Sequence, residues 1–378
     1  KLGLPAPGFR KISVELLKQG SEEEIQQSIA NLQYPLISKP LDKYGSRGIF
    51  IIKDQEQLAG SVRKTAEFTD LDEILIEEYN NGFELQGLIE VKMKNTIVAL
   101  VYDFDETLST TYMQDYVLIP ELGMSPKTFW KKANQWSVDN CADQITGSMY
   151  YFMKTAKEKG VKLTRENFAY CGTLVKYYKG VEGWFERINA YGEKLGLKIE
   201  HYIISSGYEE ILCGASICKY FTDVYGCSFA FGEDGTPVWP ARVVNYSTKV
   251  QYLSKINKGL GKLDDKLVNE FMEDSKRRVP FPRIIYFGDG MTDIPSMKLV
   301  KDRGGNAIAV YKPKSAHKEK AIKLLKDDRV NFALPADYSD GTAIDTVVKT
   351  ILDKLATERN LDVLKKKEEE KKKCATCA

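Results

Sequence analysis

Short apolar runs separated by polar, helix-patterned stretches divide the chain into three blocks and a tail. In residues 1–92, Leu36 to Lys39 and Gly48 to Lys53 predict two strands around the turn from Asp42 to Gly48, and Ile74 to Glu78 predicts a third. Ser21-Glu-Glu-Glu24 is a capping-box pattern that opens a helix. Met93 then reads as a fresh start. The run Ile97 to Tyr102 has no polar face, as expected of a central parallel strand buried on both sides. From 110 to 195 the pattern is helical. Ser125-Pro126 pairs an N-cap with proline at the first helical position, Phe129, Trp130 and Trp136 follow, and Asn140 to Lys157 and Thr164 to Tyr178 predict further helices. Beyond 198, strands at Ile199 to Ile204, Ile284 to Phe287 and Ala307 to Val310 alternate with helices, and Ser228 to Val244 predicts a hairpin turning at Glu233-Asp-Gly235. The expected fold class is α/β, a Rossmann-like parallel sheet with a helical insertion, preceded by a small α+β segment.

Composition narrows the field of functions. The 378 residues are 43% hydrophobic and 29% charged, which suits two or three ordinary globular domains. A net charge of +2 speaks against a nucleic-acid partner. No apolar run reaches the roughly 18 residues a membrane span needs, so no membrane partner is expected. Lys1 to Gly8 lacks the pattern of a signal peptide, and the missing initiator Met suggests a processed chain or a fragment. The seven cysteines show no disulfide spacing, which points to a reducing, cytoplasmic setting. Cys374 and Cys377 form a lone CxxC, which reads as part of a frayed tail rather than a zinc site. The charge block Lys365 to Lys373, within the tail 359–378, reads as a frayed helix or disorder.

The chemistry starts at Asp103-Phe-Asp105-Glu-Thr107, directly after the apolar strand. Ligands in open α/β sheets bind at the carboxyl ends of strands, and two carboxylates there suit a hard divalent cation or attack on phosphorus. A second strand runs into Ser205-Ser206-Gly207, which can offer hydroxyl and backbone N–H donors to a phosphate at the start of a following helix. Lys249 supplies a cation, with Lys255 and Lys258 as neighbouring competitors. A third strand runs into Gly288-Asp289-Gly290-Met-Thr-Asp293. Taken singly, Ser205 or Asp293 could be a helix cap, and Glu106 has no assigned role. Trp130, Trp136, Tyr150 and Tyr151 read as packing residues of the helical block, and His201 as a packed strand residue.

These four pieces, in this order over residues 95–355, resemble the motifs of the haloacid dehalogenase (HAD) superfamily of phosphatases, and the placement of the helical block is similar to that of the phosphoserine-phosphatase-like members. The resemblance implies a HAD core at 93–109 and 196–358 with a helical cap at 110–195. It implies magnesium-dependent hydrolysis of a small phosphorylated metabolite through an aspartyl phosphate. Asp103 would be the nucleophile and Asp105 the general acid and base, and Thr107 would hold the loop. Ser205, Ser206, Gly207 and Lys249 would bind phosphate. Mg2+ would be held by Asp103, Asp289, Asp293 and the backbone carbonyl of Asp105. Phosphotransfer to an alcohol shares every motif and stays open.

Residues 1–92 resemble an incomplete ATP-grasp domain through Tyr34-Pro-Leu-Ile-Ser-Lys39-Pro, Tyr44-Gly-Ser-Arg-Gly-Ile49 and Ile74-Leu-Ile-Glu-Glu-Tyr79-Asn-Asn-Gly82-Phe-Glu84. That resemblance implies ATP contacts at Lys39, Gly45, Ser46, Gly48, Glu77 and Glu84. The later segment with metal-binding acids and an Asn, which ligation needs, is replaced here by the next block. The alternatives are a nucleotide-binding module, a ligase and a fused remnant.

Overall fold

The computed structural model describes residues 8–42, 48–79, 96–313 and 317–375. The chain divides into two compact units, Lys1–Lys92 and Met93–Ala378. Gly45, Ser46, Glu84, Met93 and Cys377 lie outside the described residues.

The first unit contains β1 (Phe9–Ser13), α1 (Val14–Gln19), α2 (Glu22–Ser28), β2 (Leu36–Pro40), β3 (Phe50–Ile52), α3 (Gln55–Ala66) and β4 (Glu73–Glu78). Its strands form an antiparallel sheet in the order β1-β4-β2-β3. Alternation sends Leu36, Ile52, Ile74 and Ile76 into a core shared with Leu17, Ile25, Leu58 and Val62 of the helices. The capping box forms as expected: Ser21 accepts from the N–H of Glu24, and the Glu24 carboxylate accepts from the N–H of Ser21. The strand β1 had no counterpart in the sequence pattern, because its residues are exposed apart from Ile12.

The second unit runs β5 (Thr96–Tyr102), α4 (Leu118–Glu121), α5 (Pro126–Asp139), α6 (Gln144–Glu158), α7 (Arg165–Thr173), α8 (Val181–Lys194), β6 (Leu197–Tyr208), α9 (Glu209–Gly214), β7 (Phe221–Phe231), β8 (Pro237–Arg242), α10 (Lys249–Lys258), β9 (Ile284–Gly288), α11 (Ile294–Asp302), β10 (Asn306–Tyr311), α12 (His317–Lys326), β11 (Phe332–Pro335) and α13 (Ala343–Ala375). The sheet order is β11-β10-β9-β5-β6-β7-β8, parallel except for the β7–β8 hairpin. β5 is central and wholly buried from Val98 on, so its apolar run has no polar face to show. The fold is Rossmann-like α/β. From β5 the chain adds β6 and β7 on one side and returns to β9 on the other, so the carboxyl end of β5 sits at a topological switch point.

Several boundaries differ from the sequence pattern for physical reasons. β6 continues through Ser205-Ser206-Gly207 to Tyr208, and α9 begins only at Glu209, so Ser205 is not a helix cap. The segment before α6 is a turn with Cys141 at a left-handed φ of 50°. α7 stops at Thr173, after which Tyr177 bridges to Ser109 and Lys176 accepts from the N–H of Thr110. β7 starts at Phe221, earlier than the hairpin, because it first pairs with β6. α13 carries the helix through the charge block to Ala375. α8 lies on the sheet, with Phe185 against His201 and Trp184 against Phe287. α7 and α9 touch backbone to backbone: a Cβ on Gly214 would fall 1.9 Å from the Ala169 carbonyl oxygen, and one on Gly172 would fall 2.2 Å from that of Ile211. Cys141, Cys171, Cys213, Cys218 and Cys227 are free thiols. Among the described residues no helix is long and apolar enough to cross a membrane.

His201 is 1% exposed in β6. Its ring nitrogens meet the Tyr102 hydroxyl at 3.1 Å and the Asn189 side-chain oxygen at 3.0 Å. Burial pulls its pKa down to about 3. The unfolded chain therefore gains a proton near pH 6.5 that the folded chain refuses until about pH 3, and stability is lost as pH falls through that window. Between pH 7 and pH 5, chemical denaturation should show wild type losing roughly 2 kcal/mol more than His201→Gln.

Candidate active site

The carboxyl ends of β5, β6 and β9 bring the sequence motifs into one place. The Asp103 N–H donates to the Phe287 carbonyl at 2.8 Å, which extends the β5–β9 pairing by one residue and fixes the Asp103 backbone beside Gly288 and Asp289. Lys249, the first residue of α10, points its ammonium into the space between the strands. Its Nζ donates to Asp103 Oδ1 at 2.8 Å and to Asp293 Oδ1 at 2.7 Å. Lys249 and Asp293 are 0% exposed. The competing lysines are otherwise engaged: Lys255 bonds to Asp265 and the Lys262 carbonyl, and Lys258 to the carbonyls of Val268 and Glu270.

Asp293 stands at the N-cap position of α11, yet its side chain caps nothing. Instead Oδ1 also accepts from the Tyr286 hydroxyl at 2.7 Å, and Oδ2 is buried without a partner among the described residues. Gly288 makes this possible, since a Cβ there would fall 2.6 Å from Asp293 Cγ. Asp103, Asp289 and Asp293 each offer a carboxylate oxygen, and these lie within 4.8 Å of one another. Burial and the nearby Asp293 push Asp103 up to about 7 against the opposing pull of Lys249. Burial, Asp103 and Asp293 raise Asp289 well above the carboxylate range. Burial alone would depress Lys249, but its two carboxylates hold it well above the usual lysine value. Three hard-oxygen donors crowded against their own repulsion, one of them orphaned, fit a small divalent cation.

Asp105 is oriented differently. Its Oδ1 accepts from the Met113 N–H at 2.9 Å and from the Ser109 hydroxyl at 3.5 Å, and its side chain stays outside the three-carboxylate cluster. Burial and then the Asp103 charge raise its pKa well above the carboxylate range. Asp105 Oδ2 lies 3.3 Å from where a Cβ on Gly207 would stand. That same Cβ would collide with Met113 Cε at 2.0 Å, which explains the glycine. The loop turns on the Phe104 carbonyl, which accepts from the N–H groups of Thr107, Leu108 and Ser109. The Thr107 carbonyl accepts from the Tyr338 hydroxyl at 3.0 Å, while its own hydroxyl is buried without a partner among the described residues.

Ser205 Oγ is buried and accepts from the Gly207 N–H at 3.0 Å, and Ser206 Oγ has no partner among the described residues. Ser205 and Ser206 line a cavity of about 990 Å3 with Asp103, Asp105, Glu106 and Asp289. The helical block closes one side, where Tyr246 donates to Gln144 at 2.6 Å and Asn245 to Asp143 at 3.1 Å, joining α6 to the loop before Lys249. Trp130 lines the cavity and donates to Asp115 at 2.9 Å, whereas Trp136 stacks on Tyr150. Sequence reasoning missed Met113, Ser109 and Tyr286, which hold the site through single bonds and leave no pattern.

In the first unit, Lys39 and Glu77 form an ion pair between the neighbouring strands β2 and β4, both half-buried. Gly48 has a left-handed φ of 74°, and a Cβ there would meet Phe68 at 2.5 Å.

Comparisons with known proteins bear on both units. Residues 1–117 match the family model described as the D-ala D-ala ligase C-terminus. An uncharacterised protein of Borreliella burgdorferi is 27% identical over 278 residues, covering 66% of this chain and 95% of that one. A D-alanine–D-alanine ligase of Pelobacter propionicus is 34% identical over 92 residues, covering 22% of this chain and 28% of the ligase. A solved structure of a probable phosphoserine phosphatase from Vibrio cholerae aligns with a TM-score of 0.44 at 12% identity, covering 94% of this chain and 97% of that one.

In the absence of a cation, the cluster should be held together by Lys249 and strained by Asp289. In chelator at pH 8, Lys249→Met should cost about 3–5 kcal/mol in urea unfolding because it strands buried carboxylates. Asp289→Asn should gain about 1–2 kcal/mol by removing repulsion. The N-terminal segment is similar to the C-terminal part of D-alanine–D-alanine ligases, and the second unit is a Rossmann-like α/β core with its acidic motifs gathered at the carboxyl ends of β5 and β9.

Proposed function

We propose that the second unit is a HAD-type, magnesium-dependent phosphomonoester hydrolase acting on a small substrate through an aspartyl phosphate. One observation carries this reading: Lys249 is bonded to both Asp103 and Asp293 at the carboxyl ends of β5 and β9, beside a cavity lined by Asp103, Asp105 and Asp289. Phosphoryl transfer depends on positioning and charge neutralisation, and this constellation is built for both.

The Asp103 carboxylate attacks phosphorus while the bond to the leaving oxygen breaks. Asp105, kept protonated by burial, gives its proton to that oxygen. Water then attacks the aspartyl phosphate, Asp105 takes the water's proton, and the bond between Asp103 and phosphorus breaks to release inorganic phosphate. Lys249 counters charge on Asp103 and Asp293 throughout. Ser205, Ser206 and the backbone at Gly207 line the phosphoryl side. The carboxylates of Asp103, Asp289 and Asp293, with the Asp105 carbonyl, would hold Mg2+, and the ion would supply further neutralisation of phosphoryl charge. Transfer to an alcohol instead of water uses the same groups and is distinguished by adding acceptors and looking for phosphorylated product.

With Mg2+, Asp103→Asn should lower turnover of p-nitrophenyl phosphate by roughly 10^3-fold or more, and chelation should abolish wild-type turnover reversibly. Near wild-type rates in Asp103→Asn would remove Asp103 as the nucleophile.

The match of residues 1–117 favours a second reading for the first unit, ATP binding at Lys39, Gly48 and Glu77, with Gly45, Ser46 and Glu84 completing the set. Calorimetry of the full chain with ATP should show saturable binding that Lys39→Ala abolishes. A flat titration of wild type would leave a fused remnant as the account of this unit.

A further inference from the structure

The polar character of the cavity changes from one wall to another. Every lining residue that comes from the segment 110–195 is uncharged. They include two aromatic rings, Tyr112 and Trp130, and a polar set of Gln114, Asn134, Gln144 and Ser148. The nearby carboxylate of Asp115 is taken up by Trp130 and Thr111. Charged side chains enter the cavity elsewhere, from the catalytic loops and from the α12 region through Lys320, Lys323, Asp327 and Arg329.

Gln114 is the most informative of these residues. It is 4% exposed, on a short turn next to Met113, whose N–H holds Asp105. Among the described residues neither end of its amide has a hydrogen-bond partner, and its oxygen is fully buried. A buried amide left unpaired forfeits its hydration without compensation, so such a group facing a cavity marks a place where a ligand supplies the partner. An amide presents a donor and an acceptor together. A hydroxyl group matches both, whereas an ammonium or a carboxylate matches only one and would also need a counter-charge that this wall does not contain.

Resting on the phosphatase reading above, we infer that the substrate's leaving group is a neutral, hydroxyl-bearing alcohol, a polyol or sugar, which the Gln114 amide hydrogen-bonds beside the rings of Tyr112 and Trp130. The wall disfavours a zwitterionic amino acid phosphate such as phosphoserine. It also disfavours a simple alkyl phosphate, which would leave the Gln114 amide unpaired.

The test is a panel of kcat/KM values with Mg2+ for glucose 6-phosphate, glycerol 3-phosphate, n-propyl phosphate, O-phosphoserine and p-nitrophenyl phosphate. Wild type should favour at least one of the first two over both n-propyl phosphate and phosphoserine by tenfold or more. Gln114→Met, which keeps the volume and removes the amide, should cut the polyol-to-propyl ratio at least tenfold. Asn134→Ala, at an exposed position of α5, should lower the same ratio if the buried variant does not fold. A general structural lesion lowers both rates and leaves the ratio in place. An unchanged ratio, or phosphoserine or propyl phosphate hydrolysed as well as the polyols, overturns the inference. If p-nitrophenyl phosphate is hydrolysed in that case, the phosphatase reading survives alone. If no monoester is hydrolysed, both fall.

Discussion

One buried ammonium organises the second unit. Lys249 has no exposure and donates to carboxylates that follow two different strands. A lysine without solvent is tolerable only because both carboxylates face it, and two carboxylates so near each other are tolerable only because the lysine faces them. This mutual dependence demands that β5 and β9 be neighbours, that α10 begin at their carboxyl ends, and that residue 288 lack a side chain. Tyr286 adds a neutral donor on Asp293 and leaves the other oxygen of that carboxylate facing the cluster without a partner.

The two acids of the first motif differ in environment although they are two residues apart. Asp103 faces the ammonium and two other carboxylates, so its charge is set by a balance of large opposing effects. Asp105 is turned the other way, onto the Met113 N–H and the Ser109 hydroxyl, with no cation in direct contact. Burial raises Asp105 well above the carboxylate range, while the Lys249 ammonium pulls Asp103 back toward its ionised form. The difference between the two environments follows from which way each side chain leaves the strand.

The central strand and the order of the chemical pieces were legible because burial on both faces and short glycine-acid turns leave local marks. The run to Tyr102 and the Gly288-Asp289-Gly290 turn are examples. Choosing Lys249 over Lys255 and Lys258 was a question of geometry, answered by the direction of α10 and by the carbonyls that occupy the other two. The extension of β6 to Tyr208 was not legible, because Ser-Ser-Gly looks like a helix start, and pairing with β7 lapses after Ile204 and resumes only at Tyr208. Met113, Tyr286 and Gln114 were invisible for a common reason: each matters through one atom whose partner, or whose lack of a partner, is decided by segments far away in the chain. In the first unit the capping box and three strands could be read, while β1 hid behind an exposed, charged sequence.

The glycine contact between α7 and α9 has a consequence for traffic. Two backbones packed this closely cannot slide or part without opening a void along both helices. The helical block therefore cannot swing away from the sheet as a rigid door, because α7 is riveted in place. α6 is anchored as well, since its buried Phe152 packs on Phe168, Tyr208 and Phe229, while two hydrogen bonds at its first turn join it to the loop before Lys249. The cavity wall and the charge centre are therefore joined through one short stretch of backbone, the loop from Asn245 to Lys249.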